Sequence, residues 1–494
     1  MTPRAGRHVA LLLLVAAVAG SARADEAAPA TGVTPPATIV AIADELVQET
    51  LARNLEAVAR DANVAARLAA LEQARARFLP VLDLEARYSR ADGGRVIPLP
   101  VGDLVNPLYG AVNTLLSREG LPAPFQPVPN RDEPLLRPRE QQTALTLVQP
   151  LYDARIGAAV RAAAAEHGVA AADLDALRGR LARDARQAFY RWLRAGETVK
   201  ILEATLELAR SNLRVNDSLR RNGRITPDLV YRAEADVLEV EQALLAARNA
   251  RGLARSYVNL LRDQPLDAPL PEAVAGAADV AALRVRALGR ARVAATALDR
   301  LVEGALERRA EMSGLGEAAA AAAAGEALAR AAFKPRLGFA VEGGTQGSSY
   351  GFGDEDRYVI ASVVLRFNLF NGGADRAALG EARARARAVD ATRRLTANRI
   401  RLEVQQAAQD LEVALASAET AAKRVQAADG AFRIAAKKRD LGQVSQTEFI
   451  DARRARTDAE MNLNVTRFDA LSGIAELEYA LGLATESGRN EGSP

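Results

Sequence analysis

Residues 357–373 read RYVIASVVLRFNLFNGG. Val359, Ala361, Val363, Leu365, Phe367 and Leu369 fall on one side of an extended chain. Tyr358, Ser362, Arg366 and Asn368 fall on the other, the period of two that marks a strand with one apolar and one polar face. Asn371-Gly372-Gly373 then breaks the strand, and residues 374–440 follow without a proline. Within them Val404, Ala408, Leu411, Leu415, Ala418, Ala422 and Val425 recur at spacings of three and four, a coiled-coil seam. At about 1.5 Å per residue, a helix over this tract would reach roughly 100 Å. A strand wanting an apolar medium on one face thus runs into a helix longer than a globular domain needs.

The same passage occurs earlier in the chain. Leu147 to Arg155 (LVQPLYDAR) stands 218 residues before Leu365 to Gly373 (LRFNLFNGG), and Asn222-Gly223-Arg224-Ile225-Thr226 stands 219 residues before Leu441-Gly442-Gln443-Val444-Ser445. Phe78-Leu79-Pro80 corresponds to Phe333-Lys334-Pro335, where proline stops a helix and starts a strand. Residues 155–222 also lack proline and carry the seam Val199, Leu202, Leu206, Ala209 and Leu213. Two distant anchors at nearly one offset indicate an internal duplication. The expected plan is a first repeat over 25–284, with strands at about 80–90 and 140–150, a long helix pair to 262 and a linker over 263–284. A second repeat spans 285–482, with strands at about 336–344 and 357–369 and its own long helix pair, followed by a disordered tail at 483–494. The proline-rich stretch 91–138 reads as a loop. Seven of the 21 aromatic residues (Phe333, Phe339, Tyr350, Phe352, Tyr358, Phe367, Phe370) lie between 333 and 370, as the aromatic girdles of a membrane barrel require.

Composition narrows the function. The 494 residues include no cysteine, so disulfides, cysteine-ligated metal sites, iron–sulfur clusters and a cysteine nucleophile are excluded. Arg4 and Arg7 precede the apolar run Val9 to Ala19, and Ala22-Arg23-Ala24 has the small-x-small form of a cleavage site, so residues 1–24 read as a secretory signal peptide. Its removal takes Arg4, Arg7 and Arg23 and no acid, leaving 62 basic against 62 acidic residues. No basic excess remains to attract nucleic acid, and without a cysteine at the cleavage site the chain is not lipidated. Past the signal, no apolar stretch reaches the roughly 20 residues of a membrane helix, so an exported chain of this kind is either soluble or a β-barrel.

Two hairpins supply four strands, too few to close a membrane barrel in one chain. Cyclic assembly of identical chains resolves this and gives the helical seams partners. On the duplicated helix–strand–strand–helix plan, the Phe-x-Pro strand starts, Leu369-Phe370-Asn371-Gly372-Gly373 at a strand-to-helix passage and the Gly-x-Ile/Val-Thr/Ser turns, the chain resembles the TolC-like outer-membrane efflux protein family. The resemblance implies a mixed α/β, mainly helical fold: a long coiled-coil helical barrel joined to a membrane β-barrel to which each chain gives four strands. It also implies a homotrimer in outer-membrane lipid, with its helices in the periplasm, no cofactor and no enzymatic activity. Its partners would be a periplasmic adaptor and an inner-membrane pump of RND, ABC or MFS type, for tripartite efflux or type I secretion.

By the same resemblance, the two turns contact the adaptor, through Gly223, Arg224, Thr226, Leu229, Gly442, Ser445 and Phe449. Locally, glycine supplies the left-handed residue that ends one helix, and Thr226 or Ser445 can cap the next. Glu448 and Asp451, three apart on one helix face, match the paired acids that line the family's periplasmic entrance. Three copies would present stacked acidic rings attracting cations. The competing reading makes them a solvated face with Arg453 and Arg454 as counter-charges. Other enzyme-like hints fail: Gly347-Ser348-Ser349-Tyr350-Gly351 matches a nucleophile elbow but lies in a hairpin loop without a histidine, His167 sits in a helical tract, Asp354-Glu355-Asp356 reads as a solvated acidic tip, and no Gly-Lys dipeptide exists for a nucleotide loop. A soluble periplasmic coiled-coil scaffold is the alternative; it would tolerate charges on the apolar row at 357–369.

Overall fold

The computed structural model describes residues 39–271, 295–349, 351, 353–441 and 443–485. The expected signal segment, part of the linker at 263–284, the loop aromatics Tyr350 and Phe352, the turn residue Gly442 and residues 486–494 lie outside the described residues.

The described elements of the two halves run in the same order at nearly the same lengths. The first has α1 (Ile39–Arg53), α2 (Leu55–Ala76, 22 residues), strands β1 (Val81–Arg90) and β4 (Arg139–Tyr152), α4 (Ala154–Arg221, 68 residues) and α5 (Pro227–Leu261, 35 residues). The second has α6 (Ala295–Arg308), α7 (Ala310–Ala331, 22 residues), β5 (Arg336–Gly347), β6 (Arg357–Arg366), α8 (Ala374–Asp440, 67 residues) and α9 (Gln446–Ala480, 35 residues). Gly168, Gly179 and Gly196 do not break α4, because no proline or turn cluster accompanies them.

The strands form one antiparallel sheet in the order β1-β4-β5-β6, so β1 and β6 are open edges. Directly opposed residues share a face, and the register therefore sorts the sheet. Leu82, Leu84, Ala86 and Tyr88 align with Leu145 and Leu147, with Leu337, Phe339 and Val341, and with Val359, Ala361, Val363 and Leu365. This face carries charge only at the end away from the helices, at Arg90, Arg139 and Arg357. The other face holds a hydrogen-bond chain across all four strands. Arg87 donates to Gln142 at 3.2 Å, the Gln142 amide donates to the Tyr358 hydroxyl at 3.2 Å, and that hydroxyl donates to Glu342 at 2.6 Å. One sheet thus has an apolar side that no described element covers and a polar side.

Three expectations change. The strand expected over 357–369 stops at Arg366, because its partner β5 begins at Arg336, immediately after Pro335, and offers nothing further to pair with. Residues 91–138 are not simply a loop. They hold a two-stranded ribbon, β2 (Val96–Leu99) with β3 (Arg131–Pro134), and an 18-residue helix, α3 (Val101–Arg118). Prolines flank α3 more than they interrupt it, with only Pro107 inside. Asn106 and Asn113 each make two hydrogen bonds to the backbone of Val128 and Phe125, which fastens α3 to the chain that follows. The tail expected from 483 begins as ordered core. Gly482 (φ +73°) turns the chain back, Ala484 is buried, and Arg186 donates to its carbonyl at 2.9 Å.

The main core gathers α1, α4, α5, α6, α8 and α9 around Phe189, Trp192, Phe468 and Leu471. A second core joins Val199, Leu202, Leu206 and Ala209 of α4 to Val237, Val240, Leu244 and Ala247 of α5, the seam read from the sequence. Beside the main core, the Tyr479 ring lies between Arg183 and Arg309, at 4.4 and 4.6 Å. Burial would lower the Arg309 pKa, but its 2.7 Å bond to Glu311 outweighs that and raises it; burial would raise Glu311, and Arg309 holds it below the ordinary carboxylate range. Arg183, Arg309 and Glu311 are therefore charged at neutral pH, while burial raises the Tyr479 pKa and keeps its hydroxyl neutral. No described helix is long and apolar enough to cross a membrane.

Candidate functional site

The helical hairpins α4/α5 and α8/α9 end in two turns of one construction. After α4, Gly223 takes φ +66°, its amide donates to Arg220, and the Arg224 amide donates to Leu219 at 2.9 Å. After α8, the Gln443 amide donates to Lys438 at 2.8 Å, the matching six-residue closure. The first is a Schellman turn, in which the left-handed Gly223 lets the chain satisfy the last helical carbonyls, and the second closes with the same bond. The following helices are capped differently. Ser445 Oγ accepts the Glu448 amide at 3.1 Å, whereas Thr226 occupies the cap position without a side-chain bond, and Pro227 supplies the pre-set first helical residue.

Gly223, Arg224, Thr226 and Ser445 are exposed at the turns, and Leu229 is half-buried. Phe449 is not on the outside. It is 2% exposed, packed 5.7 Å from Phe432 and covered by Arg439 at 4.3 Å, so its ring props the turn from within. Glu448 and Asp451 are both exposed on the first two turns of α9, and neither has an ion-pair partner among the described residues.

Arg453 and Arg454 do not neutralise these two acids. Arg453 is buried and meets Asp236 of α5 at 2.6 Å, with side chains only 4% and 3% exposed. Arg454 bonds Glu239 at 2.6 Å and reaches Asp236 at 3.4 Å. Gln446 donates to the Leu229 carbonyl at 3.0 Å, and Thr205 meets Thr457 at 3.1 Å. These contacts tie α9 to the other hairpin near its tip. The competing reading, a solvated face with these arginines as counter-charges, gave them the wrong partners. The available signal was Asp236 itself, an acid in the buried phase of α5 beside Ala233, Val237 and Val240, where an unpaired charge is costly.

Residues 301–483 match the model of the outer membrane efflux protein family. No curated protein sequence matches the chain. Among solved structures, the chain is similar to the CmeC outer membrane channel of Campylobacter jejuni, at 15% identity and TM-score 0.72 over 91% of this chain and 87% of that one. It is also similar to the outer membrane protein VceC of Vibrio cholerae, at 19% identity and TM-score 0.69 over 89% and 96%, and to the open state of the MtrE outer membrane channel of Neisseria gonorrhoeae, at 18% identity and TM-score 0.69 over 90% and 89%. The duplicated sheet-and-hairpin fold and the sequence match over its second half converge: residues 301–483 are similar to the outer membrane efflux protein family, and the chain has the fold of outer-membrane channels.

Proposed function

We propose that three copies of this chain close their twelve strands into one outer-membrane barrel and their long hairpins into a periplasmic tube, through which an inner-membrane pump, joined by an adaptor at the Gly223 and Gly442 turns, drives its cargo. The observation that carries the proposal is the four-stranded sheet with an uncovered apolar face, a polar face and two open edges, continuing directly into helices of 68 and 67 residues. Open edges and uncovered apolar faces are liabilities in an isolated chain. Closure with copies of itself removes the edges, and a bilayer around the closed barrel covers the apolar face. The helices repeat the argument: Tyr231, Leu238, Leu245, Leu253 and Leu260 form an exposed apolar row along α5, and Leu395, Leu402, Val413 and Ile434 are exposed on α8. Rows near heptad spacing seek a partner helix. The equal element lengths of the two halves support their origin as a duplication.

At the narrow end, three copies of Glu448 and Asp451 would form two stacked rings of carboxylates, which favour cations in a constriction. Recorded in planar bilayers, the Glu448→Gln/Asp451→Asn channel is expected to lose cation preference, its K⁺-to-Cl⁻ permeability ratio falling toward unity with the barrel intact. An unchanged ratio would remove these acids from the entrance.

A further inference from the structure

A cavity of about 540 Å³ lies where the sheet meets the helices, lined by Phe78, Tyr152, Arg161, Arg330 and Lys334, with Asp153 its one acid. Asp153 is already engaged as the cap of α4, accepting the Arg155 amide at 2.9 Å. Arg330 bonds Glu326 at 2.8 Å. Arg161 and Lys334 have no hydrogen-bond or ion-pair partner for their charged groups among the described residues. Gly157, one turn before Arg161, leaves room for it: a Cβ there would stand 3.8 Å from the guanidinium. The cavity therefore presents two uncommitted positive charges.

Its apolar wall has a definite side. The β4 irregularity at Pro150–Tyr152 brings Tyr152 opposite Leu337, and so onto the apolar face of the sheet, at the end nearest the helices. Phe78, whose carbonyl accepts from Gln149 at 2.9 Å, and Phe333 are about half exposed at the same level. Aromatic rings at the edge of an apolar face mark the boundary between acyl chains and headgroups. Cations at that level with no protein counter-ion suit an anionic headgroup, to which each Lys or Arg near the surface contributes.

We propose that this cavity is a binding site for an anionic glycerophospholipid of the periplasmic leaflet, its phosphate held between Arg161 and Lys334 and its acyl chains along Phe78 and Tyr152. The inference rests on the reading that the sheet is embedded in the outer membrane. A free phosphate would satisfy the cations but leave the aromatic wall without a ligand.

The test uses the full-length protein extracted from outer membranes in mild detergent, compared with Arg161→Gln/Lys334→Gln. Retained lipid is counted by native mass spectrometry after titration with phosphatidylglycerol, with phosphatidylcholine, or with inorganic phosphate as competitor. Phosphatidylglycerol is expected to bind wild type in preference to phosphatidylcholine, and about 30-fold more weakly to the variant, the loss expected for two surface cations. Equal retention by the variant, equal binding of the neutral lipid, or displacement by millimolar inorganic phosphate would each overturn the assignment. Extraction of both proteins from the membrane at the same oligomeric mass leaves the duct reading standing in those cases. A wild-type chain absent from the outer membrane would instead defeat that reading itself.

Discussion

Replacing Val359, Val363 and Leu365 together by arginine is expected to abolish outer-membrane assembly. All three side chains lie on the uncovered face of β6, opposite Gly343, Phe339 and Leu337, and each is at least 65% exposed. In water such exposure would make them tolerant sites, since an exposed valine contributes little to folding. In a bilayer the same positions face acyl chains, where an arginine costs about 2–4 kcal/mol near the midplane and about 0–1 kcal/mol near either surface. Val363, nearest the middle of the strand, should dominate, so Val363→Arg alone is expected to lower the amount assembled. Ser362→Arg is the control, because Ser362 lies one residue away on the polar face, opposite Ala340. Heat-modifiable migration and fractionation of outer membranes read the outcome. Normal assembly of the triple variant would mean that this face meets water, as on a soluble scaffold.

Arg453→Met is expected to loosen the helical tips. It would leave Asp236 buried, with its Oδ2 already lacking a hydrogen-bond partner, and only the half-exposed Arg454 in reach at 3.4 Å. Removing one partner of a buried ion pair typically costs about 3–5 kcal/mol, and the remaining arginine places this case near 3 kcal/mol. Amide exchange over 227–240 and 446–458 should then accelerate about 100-fold, at roughly 1.4 kcal/mol per factor of ten. The double variant Arg453→Met/Asp236→Leu removes both charges and should recover most of the protection, because a buried pair replaced by apolar groups of similar size is often neutral. Unchanged exchange in the single variant would show that the pair does not hold the hairpins together. If the tip is the constriction of the duct, the single variant should also conduct more than wild type in planar bilayers.

Much of this architecture is legible in the sequence because its periodicities are long and doubled. The alternation at 357–366, the proline-free tracts that became α4 and α8 and the paired glycine turns are backbone signals that repeat about 218 residues apart. What sequence reading missed are contacts between hairpins, which no local pattern encodes. Arg453 and Asp236 are 217 residues apart and meet only because α9 lies against α5. Phe449 has the composition of a contact residue, yet the turn folds it inward against Phe432. The helix α3 was hidden by prolines on both sides, whose local signal outweighed the 18 residues between them. Ala484 was placed in the tail, although Gly482 bends the chain back so that its carbonyl reaches Arg186.

The central claim is that the four-stranded sheet is one third of a membrane barrel. The most direct measurement is the oligomeric mass and image of the protein extracted from isolated outer membranes in mild detergent, by light scattering and negative-stain microscopy. The account predicts a particle of three chains, a closed ring in end view with a tube of roughly 100 Å in side view, as the helix rise requires. A monomer or dimer recovered from the soluble periplasmic fraction would contradict it.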